Sequence, residues 1–140
     1  MKTIALVAHD AKKKDLLEWV TKHVDKLRGN EYYATGTTGK LLSTVLDGIH
    51  CLKSGPLGGD QQLGSLISEG KIDYLIFFWD PMTSQPHDVD VKALLRLSVL
   101  YDIPTACNRA SADFMVSSGL FGEEYKPEVT DYSDYLNRRI

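Results

Sequence analysis

The chain has 140 residues, 43% hydrophobic and 25% charged, a balance that suits one globular domain able to bury a core without disulfide or metal staples. A net charge of -3 supplies no basic face for nucleic acid, and no apolar run approaches the ~18 residues of a membrane span, so both are excluded as partners. Cys51 and Cys107 lack CxxC spacing and clustered His/Cys neighbours, which argues against a disulfide framework or zinc site and for reduced thiols in a cytoplasmic protein.

The first element is the run Ile4 to Ala8, too brief for a signal peptide and continuous enough for a parallel strand covered on both faces. Leu16, Leu17, Val20, Val24 and Leu27 follow at helical spacing, with Asp10 placed to cap the start and Gly29 beyond the end. A short strand is predicted over Tyr32 to Ala34, then a helix capped by Thr38 and carrying Leu41, Leu42, Val45 and Leu46 up to Gly48. Ile49 to Leu52 reads as a third strand, Leu63, Leu66 and Ile67 as a helix ending before Gly70, and Ile72 to Trp79 as a second fully buried strand. Asp88 is placed to cap a helix over 90–101 whose apolar residues surround it, more than one sheet face would bury, so it is expected to meet another subunit. Pro104 to Cys107 is the last strand, and 131–139 a short closing helix. About five strands alternating with helices predict an α/β fold, a doubly wound parallel sheet flanked by helices, as a single domain over 1–140.

In such a sheet ligands bind beyond the carboxyl ends of the strands. There lie His9, Asp10 and Lys13; Thr35, Gly36, Thr37, Thr38 and Gly39; Ser54 and Gly55 through Asp60; Asp80; then His87, Asp88 and Asp90; and Asn108. The Thr35 to Gly39 segment joins a strand to a helix with two glycines and three hydroxyls, a place for a phosphate, although a tight turn would use the same residues. Ser54 and Gly55 add a hydroxyl and an amide, and one lysine of the run Lys12, Lys13, Lys14 suffices to neutralise a dianion. Neither GxxxxGK[ST] nor GxGxxG is present, which disfavours a nucleotide.

Asp60 could cap a helix, yet Asp10, Asp60, Asp80, Asp88 and Asp90 are too dense on one edge to be all caps. Carboxylates gathered in a partly dry pocket raise one another's pKa, as a general base near neutral pH requires. A metal site is the rival use, weakened by the lack of HExxH or of a close triad with ligand spacing. His87 has a metal-free role open to it, since an imidazole that hydrogen-bonds a carbonyl stabilises charge arriving on oxygen. His9 and His87 stand in loops on the polar edge and read as functional, while His23 and His50 read as structural.

The segments His9-Asp10, Ala34 to Gly39, Ser54-Gly55-Pro56-Leu57-Gly58-Gly59-Asp60-Gln61-Gln62, Phe77 to Pro81, and Pro86-His87-Asp88-Val89-Asp90 through Arg96 together resemble methylglyoxal synthase. The resemblance runs from the first strand to about Phe114, with Val89 standing where the family usually has proline. It implies a lyase that eliminates phosphate from dihydroxyacetone phosphate through an enediolate, giving methylglyoxal and inorganic phosphate. In that role Asp60 would be the base and His87 the electrophile. His9, Lys13, Thr35, Gly36, Thr37, Thr38, Ser54 and Gly55 would bind substrate, chiefly its phosphate, while Asp10, Asp80 and Asp90 would orient the base and histidine. The resemblance further implies no cofactor, no metal, a homohexamer, and inhibition by inorganic phosphate. A regulatory module is the alternative, because similar domains serve as allosteric units in larger enzymes; a free-standing chain that keeps both Asp60 and His87 favours the enzyme. An isomerase of triose phosphates on an unusual scaffold is disfavoured only by the resemblance.

Overall fold

The computed structural model describes residues 1–139. Five parallel strands, β1 (Thr3–Ala8), β2 (Glu31–Ala34), β3 (Ile49–Cys51), β4 (Tyr74–Phe78) and β5 (Thr105–Ala106), form one sheet in the order β3-β2-β1-β4-β5. The two continuous apolar runs are the two strands at the middle of the fold, β1 and β4, paired over Ile4↔Tyr74 to Ala8↔Phe78. Both faces are covered, as the lack of polar alternation requires. Ile4, Leu6 and Ala8 point to one layer, with Leu16, Trp19, Leu42 and Val116, while Ala5 and Val7 point to the other, with Leu63, Ile67, Val91 and Leu94. The period of two along β1 therefore divides the hydrophobic core into two halves.

The helices are α1 (Lys13–Lys22), α2 (Val24–Leu27), α3 (Gly36–Leu42), α4 (Gly59–Ser68), α5 (Asp88–Leu100), α6 (Arg109–Ser117) and α7 (Ser133–Leu136). The predicted helix over 16–27 is broken at His23, where Asp113 of α6 accepts from Trp19 Nε1 at 2.9 Å and contacts His23 Nε2 at 3.1 Å, tying that turn to its neighbour. α3 stops at Leu42, short of the predicted Leu46, because the Ser43 and Thr44 hydroxyls bond back to the carbonyls of Gly39 and Leu41 and compete with the helix.

Three expected caps are corrected. Asp10 lies in a 3-10 turn before α1, Thr38 lies inside α3 with Thr35 at the N-cap, and His87 is the N-cap of α5, the Asp88 carboxylate accepting instead from the Gln85 amide at 3.0 Å. On α5 the stripe Val91, Leu94 and Ser98 is buried while Val99 is 82% exposed, so an apolar surface remains on its far side. The closing helix is the single turn α7, shorter than 131–139. Among the described residues no helix is long and apolar enough to cross a membrane.

Candidate active site

From β1 the chain steps outward through β2 and β3, then returns to build β4 and β5 on the other side, and the segments that follow β1, β2 and β3 meet the turn leading into α5 beyond the carboxyl ends of the strands. A pocket of about 270 Å³ opens there, lined by His9, Asp10, Lys13, Thr35 to Thr38, Ser54 to Pro56, Gln85 and His87. Asn108 follows β5 on this edge as expected, but it is not among the residues lining the pocket and caps α6 by accepting the Ser111 amide at 2.8 Å.

One wall is a backbone nest. Gly36 adopts φ +49 and donates its amide to Leu52 and Lys53 carbonyls at 3.2 and 3.1 Å, so the turn lies flat against Ser54. A Cβ at Gly36 would come within 2.8 Å of the Ser54 Cα and Cβ, so the approach requires glycine. No side chain caps α3, and of its first-turn amides that of Gly36 is already taken by the two carbonyls. Lys13 is the lysine of its run that reaches this wall: its Nζ bonds Thr37 Oγ1 at 2.6 Å and Asp10 Oδ1 at 2.5 Å, whereas Lys12 pairs with Asp15 at 3.9 Å.

The lining also carries Gly55 and His87, at the start of α5, and directly behind them lies Asp60, second residue of α4. Asp60 is 3% exposed, and its Oδ2 lies 3.8 Å from His87 Nε2. The two meet beneath Gly55, where an added Cβ would lie 2.8 Å from His87 Nε2 and 3.1 Å from Asp60 Oδ2. Burial raises the Asp60 pKa above the ordinary carboxylate range; His87 opposes the shift and Asp90 adds to it.

The expected mutual raising of carboxylates holds for Asp60, to which Asp90 contributes, but fails for Asp10 and Asp80. Asp10 is exposed and held low by Lys13, and Asp80 is held low by the Met82 amide, which donates to its Oδ1 at 3.0 Å. None of the three carboxylates assigned to orienting the pair hydrogen-bonds Asp60 or His87: Asp10 takes Lys13, Asp80 takes Met82, and Asp90 takes Gln61 Nε2 at 3.2 Å.

Asp80 acts instead through its backbone. Its buried amide donates to His9 Nδ1 at 3.0 Å, so that nitrogen is an acceptor and the ring proton sits on Nε2, which faces no protein partner. Burial, reinforced by His87, lowers the His9 pKa against the weaker pull of Asp80, Asp88 and Asp10. His9 is therefore expected to be a neutral Nε2–H donor at neutral pH; nitrogen-15 NMR of the imidazole showing an Nδ1–H tautomer or a cation there would contradict this assignment. No residue-type signal could have revealed the contact, because every non-proline residue has an amide.

Among the described residues four buried side-chain polar atoms lack a protein partner, and all belong to this site: His9 Nε2, Thr38 Oγ1, Asp60 Oδ2 and His87 Nδ1. Each such atom costs roughly 1–3 kcal/mol, so their convergence marks a place built for a polar ligand. A second cleft of about 190 Å³ at the amino ends of the strands, between Lys2, Tyr101 and Tyr125, holds none of these atoms. Among the described residues no group of three or more His, Cys, Asp or Glu could hold a metal ion.

Residues 15–107 match the family model described as the MGS-like domain. The methylglyoxal synthase of Photorhabdus laumondii subsp. laumondii is 58% identical over 140 residues, covering 99% of this chain and 92% of that protein. The chain belongs to the methylglyoxal synthase family. The Hahella chejuensis methylglyoxal synthase is 57% identical over 140 residues, covering 99% of this chain and 90% of its own. The crystal structure of the methylglyoxal synthase of Elizabethkingia anophelis is 56% identical and superposes with a TM-score of 0.92 over 99% of this chain and 92% of that one. Family membership thus spans both walls of the pocket, including the His9 to Lys13 stretch that precedes the matched domain model.

Proposed function

We propose that this chain is a methylglyoxal synthase, a lyase that eliminates phosphate from dihydroxyacetone phosphate. The observation that supports it most is the Asp60 to His87 separation of 3.8 Å beneath Gly55, in a pocket whose lining also includes the Thr35 to Thr38 nest. A triose phosphate held with its phosphate on the nest would present its hydroxymethyl carbon to this pair.

Asp60 takes a proton from that carbon, and His87 and His9 donate to the oxygens on which charge develops. A single donor aimed at such an oxygen is worth about 2.7–4 kcal/mol in a site that excludes water. The enediol then loses its hydroxyl proton as the C–O bond to phosphate breaks, giving the enol of methylglyoxal. Of the two protons lost by the carbon skeleton, one returns to the new methylene carbon on ketonisation and the other ends on phosphate, so hydrogenphosphate and methylglyoxal balance the substrate. Lys13, Ser54 and Thr37 neutralise and hold the departing dianion, and the same nest accounts for inorganic phosphate as product and inhibitor. No cofactor enters this sequence of steps. Exposed Val99, Phe114 and Leu136 support assembly into a homo-oligomer, a hexamer by the family resemblance.

Elimination rather than isomerisation needs the scissile C–O bond perpendicular to the enediolate plane, where its antibonding orbital overlaps the π system. The phosphate nest sets that torsion, so it governs outcome as well as affinity. Purified protein given dihydroxyacetone phosphate is expected to release methylglyoxal and phosphate in equal amounts. Binding without turnover would instead identify a regulatory module.

A further inference from the structure

Gln62 lies outside the pocket and touches no group that would meet substrate, yet it joins the two walls. β3 is the edge strand, and the last hydrogen bond from its end into the sheet is Leu52 N–H to the Ala34 carbonyl at 2.8 Å. The next amide, that of Lys53, donates to Gln62 Oε1 at 2.8 Å. The Lys53 carbonyl in turn accepts the Gly36 amide of the nest at 3.1 Å, and a Cβ on Gly59 would come within 1.8 Å of that oxygen, so α4 packs directly on it. The Ser54 carbonyl accepts the Gly59 amide at 2.9 Å. The Leu52–Lys53 peptide group, whose Leu52 carbonyl also accepts the Gly36 amide at 3.2 Å, is thereby gripped by α4 at its N–H and by the nest at its C=O. Asp60 sits in the same turn of α4 as Gln62.

We propose that Gln62 is a positioning residue that fixes the span between Asp60 and the phosphate nest through the Leu52–Lys53 peptide, and so sets how much enediolate eliminates phosphate instead of returning to substrate. The inference rests on the methylglyoxal synthase reading of the site. Its physical basis is geometric. Proton removal needs the hydroxymethyl carbon to reach Asp60 and tolerates some play in how the phosphate is held, but elimination needs Asp60 and the nest in register, because the nest holds the C–O bond perpendicular to the enediolate. A shift of one wall by about 1 Å can cost on the order of 10²-fold in the step that depends on it.

The test is turnover of dihydroxyacetone phosphate in deuterium oxide, comparing deuterium in recovered substrate with phosphate released. This ratio is internal to each preparation, so partial loss of folded protein cancels, and a merely structural role would leave it unmoved. Gln62→Leu is expected to raise exchange relative to elimination by about tenfold or more, while Gln62→Glu, which keeps an acceptor oxygen at the same reach, stays within about twofold of the unmodified protein. Should Gln62→Leu fail to fold, Gln62→Asn, one methylene too short for Lys53, carries the same expectation. An unchanged ratio in the variant that lacks the acceptor overturns the proposal, as does loss of exchange and elimination together in a folded variant, or a Gln62→Glu ratio as disturbed as that of Gln62→Leu. An unmodified protein that neither exchanges nor eliminates would overturn the proposed function instead.

Discussion

Asp60→Asn is expected to lower kcat/KM by roughly 10³-fold or more, the scale of a lost general base, while the protein stays folded and more heat-stable than the original at neutral pH. The side chain is 3% exposed and its Oδ2 accepts no hydrogen bond, so an ionised Asp60 is a poorly solvated charge. Its pKa is higher in the folded than in the unfolded chain, because burial penalises the carboxylate. Stability from this group is complete in acid, where both states are protonated, and is lost as pH rises through the raised folded value, where the unfolded chain holds fewer protons. Asparagine has no charge to bury, so the Tm advantage of the variant should grow from acid to neutral pH. In the original protein the acid limb of kcat/KM should lie above the ordinary aspartate range, since only the ionised carboxylate abstracts a proton. Near-normal turnover by Asp60→Asn would remove this residue from the role of base.

Gly55→Ala is the second change with a large expected effect, on the order of 10²-fold or more in kcat with the fold retained. Gly55 has no left-handed φ, so alanine meets no backbone strain there. The new methyl would stand 2.8 Å from His87 Nε2, 3.0 Å from its Cδ2 and 3.1 Å from Asp60 Oδ2. Either the imidazole and carboxylate move apart or the β3 to α4 loop lifts away from them, and both outcomes break the register between acid-base pair and nest. A circular-dichroism melt close to that of the original protein, combined with the kinetic loss, is the expected pattern. Full activity in Gly55→Ala would mean that the pair does not need its 3.8 Å approach.

The fold was legible because its signals are local and redundant. Two long apolar runs became the paired central strands β1 and β4, since a segment with no polar face can only lie between two covering layers. Short elements were legible only in outline: β4 is trimmed to Tyr74–Phe78 from the predicted Ile72 to Trp79, with Trp79 left 44% exposed, and β5 shrinks to two residues. Caps were misread at Asp10 and Asp88, where hydrogen-bond partners from the pocket or a neighbouring turn outcompete the local helix end, and at Thr38, which lies inside a helix that starts earlier, at Gly36.

By itself the sequence determined the layer architecture, the edge on which the polar residues gather, and the residue types gathered there, because hydrophobic periodicity and strand-end position are properties of short segments. Only the tertiary structure decided which carboxylate stands against His87, which lysine reaches the nest, that Asp80 holds His9 by its amide rather than its acid, and that Gln62 ties one wall to the other. Those choices depend on distances between segments far apart in the chain, and on burial, which raises the pKa of Asp60 by taking water away from it.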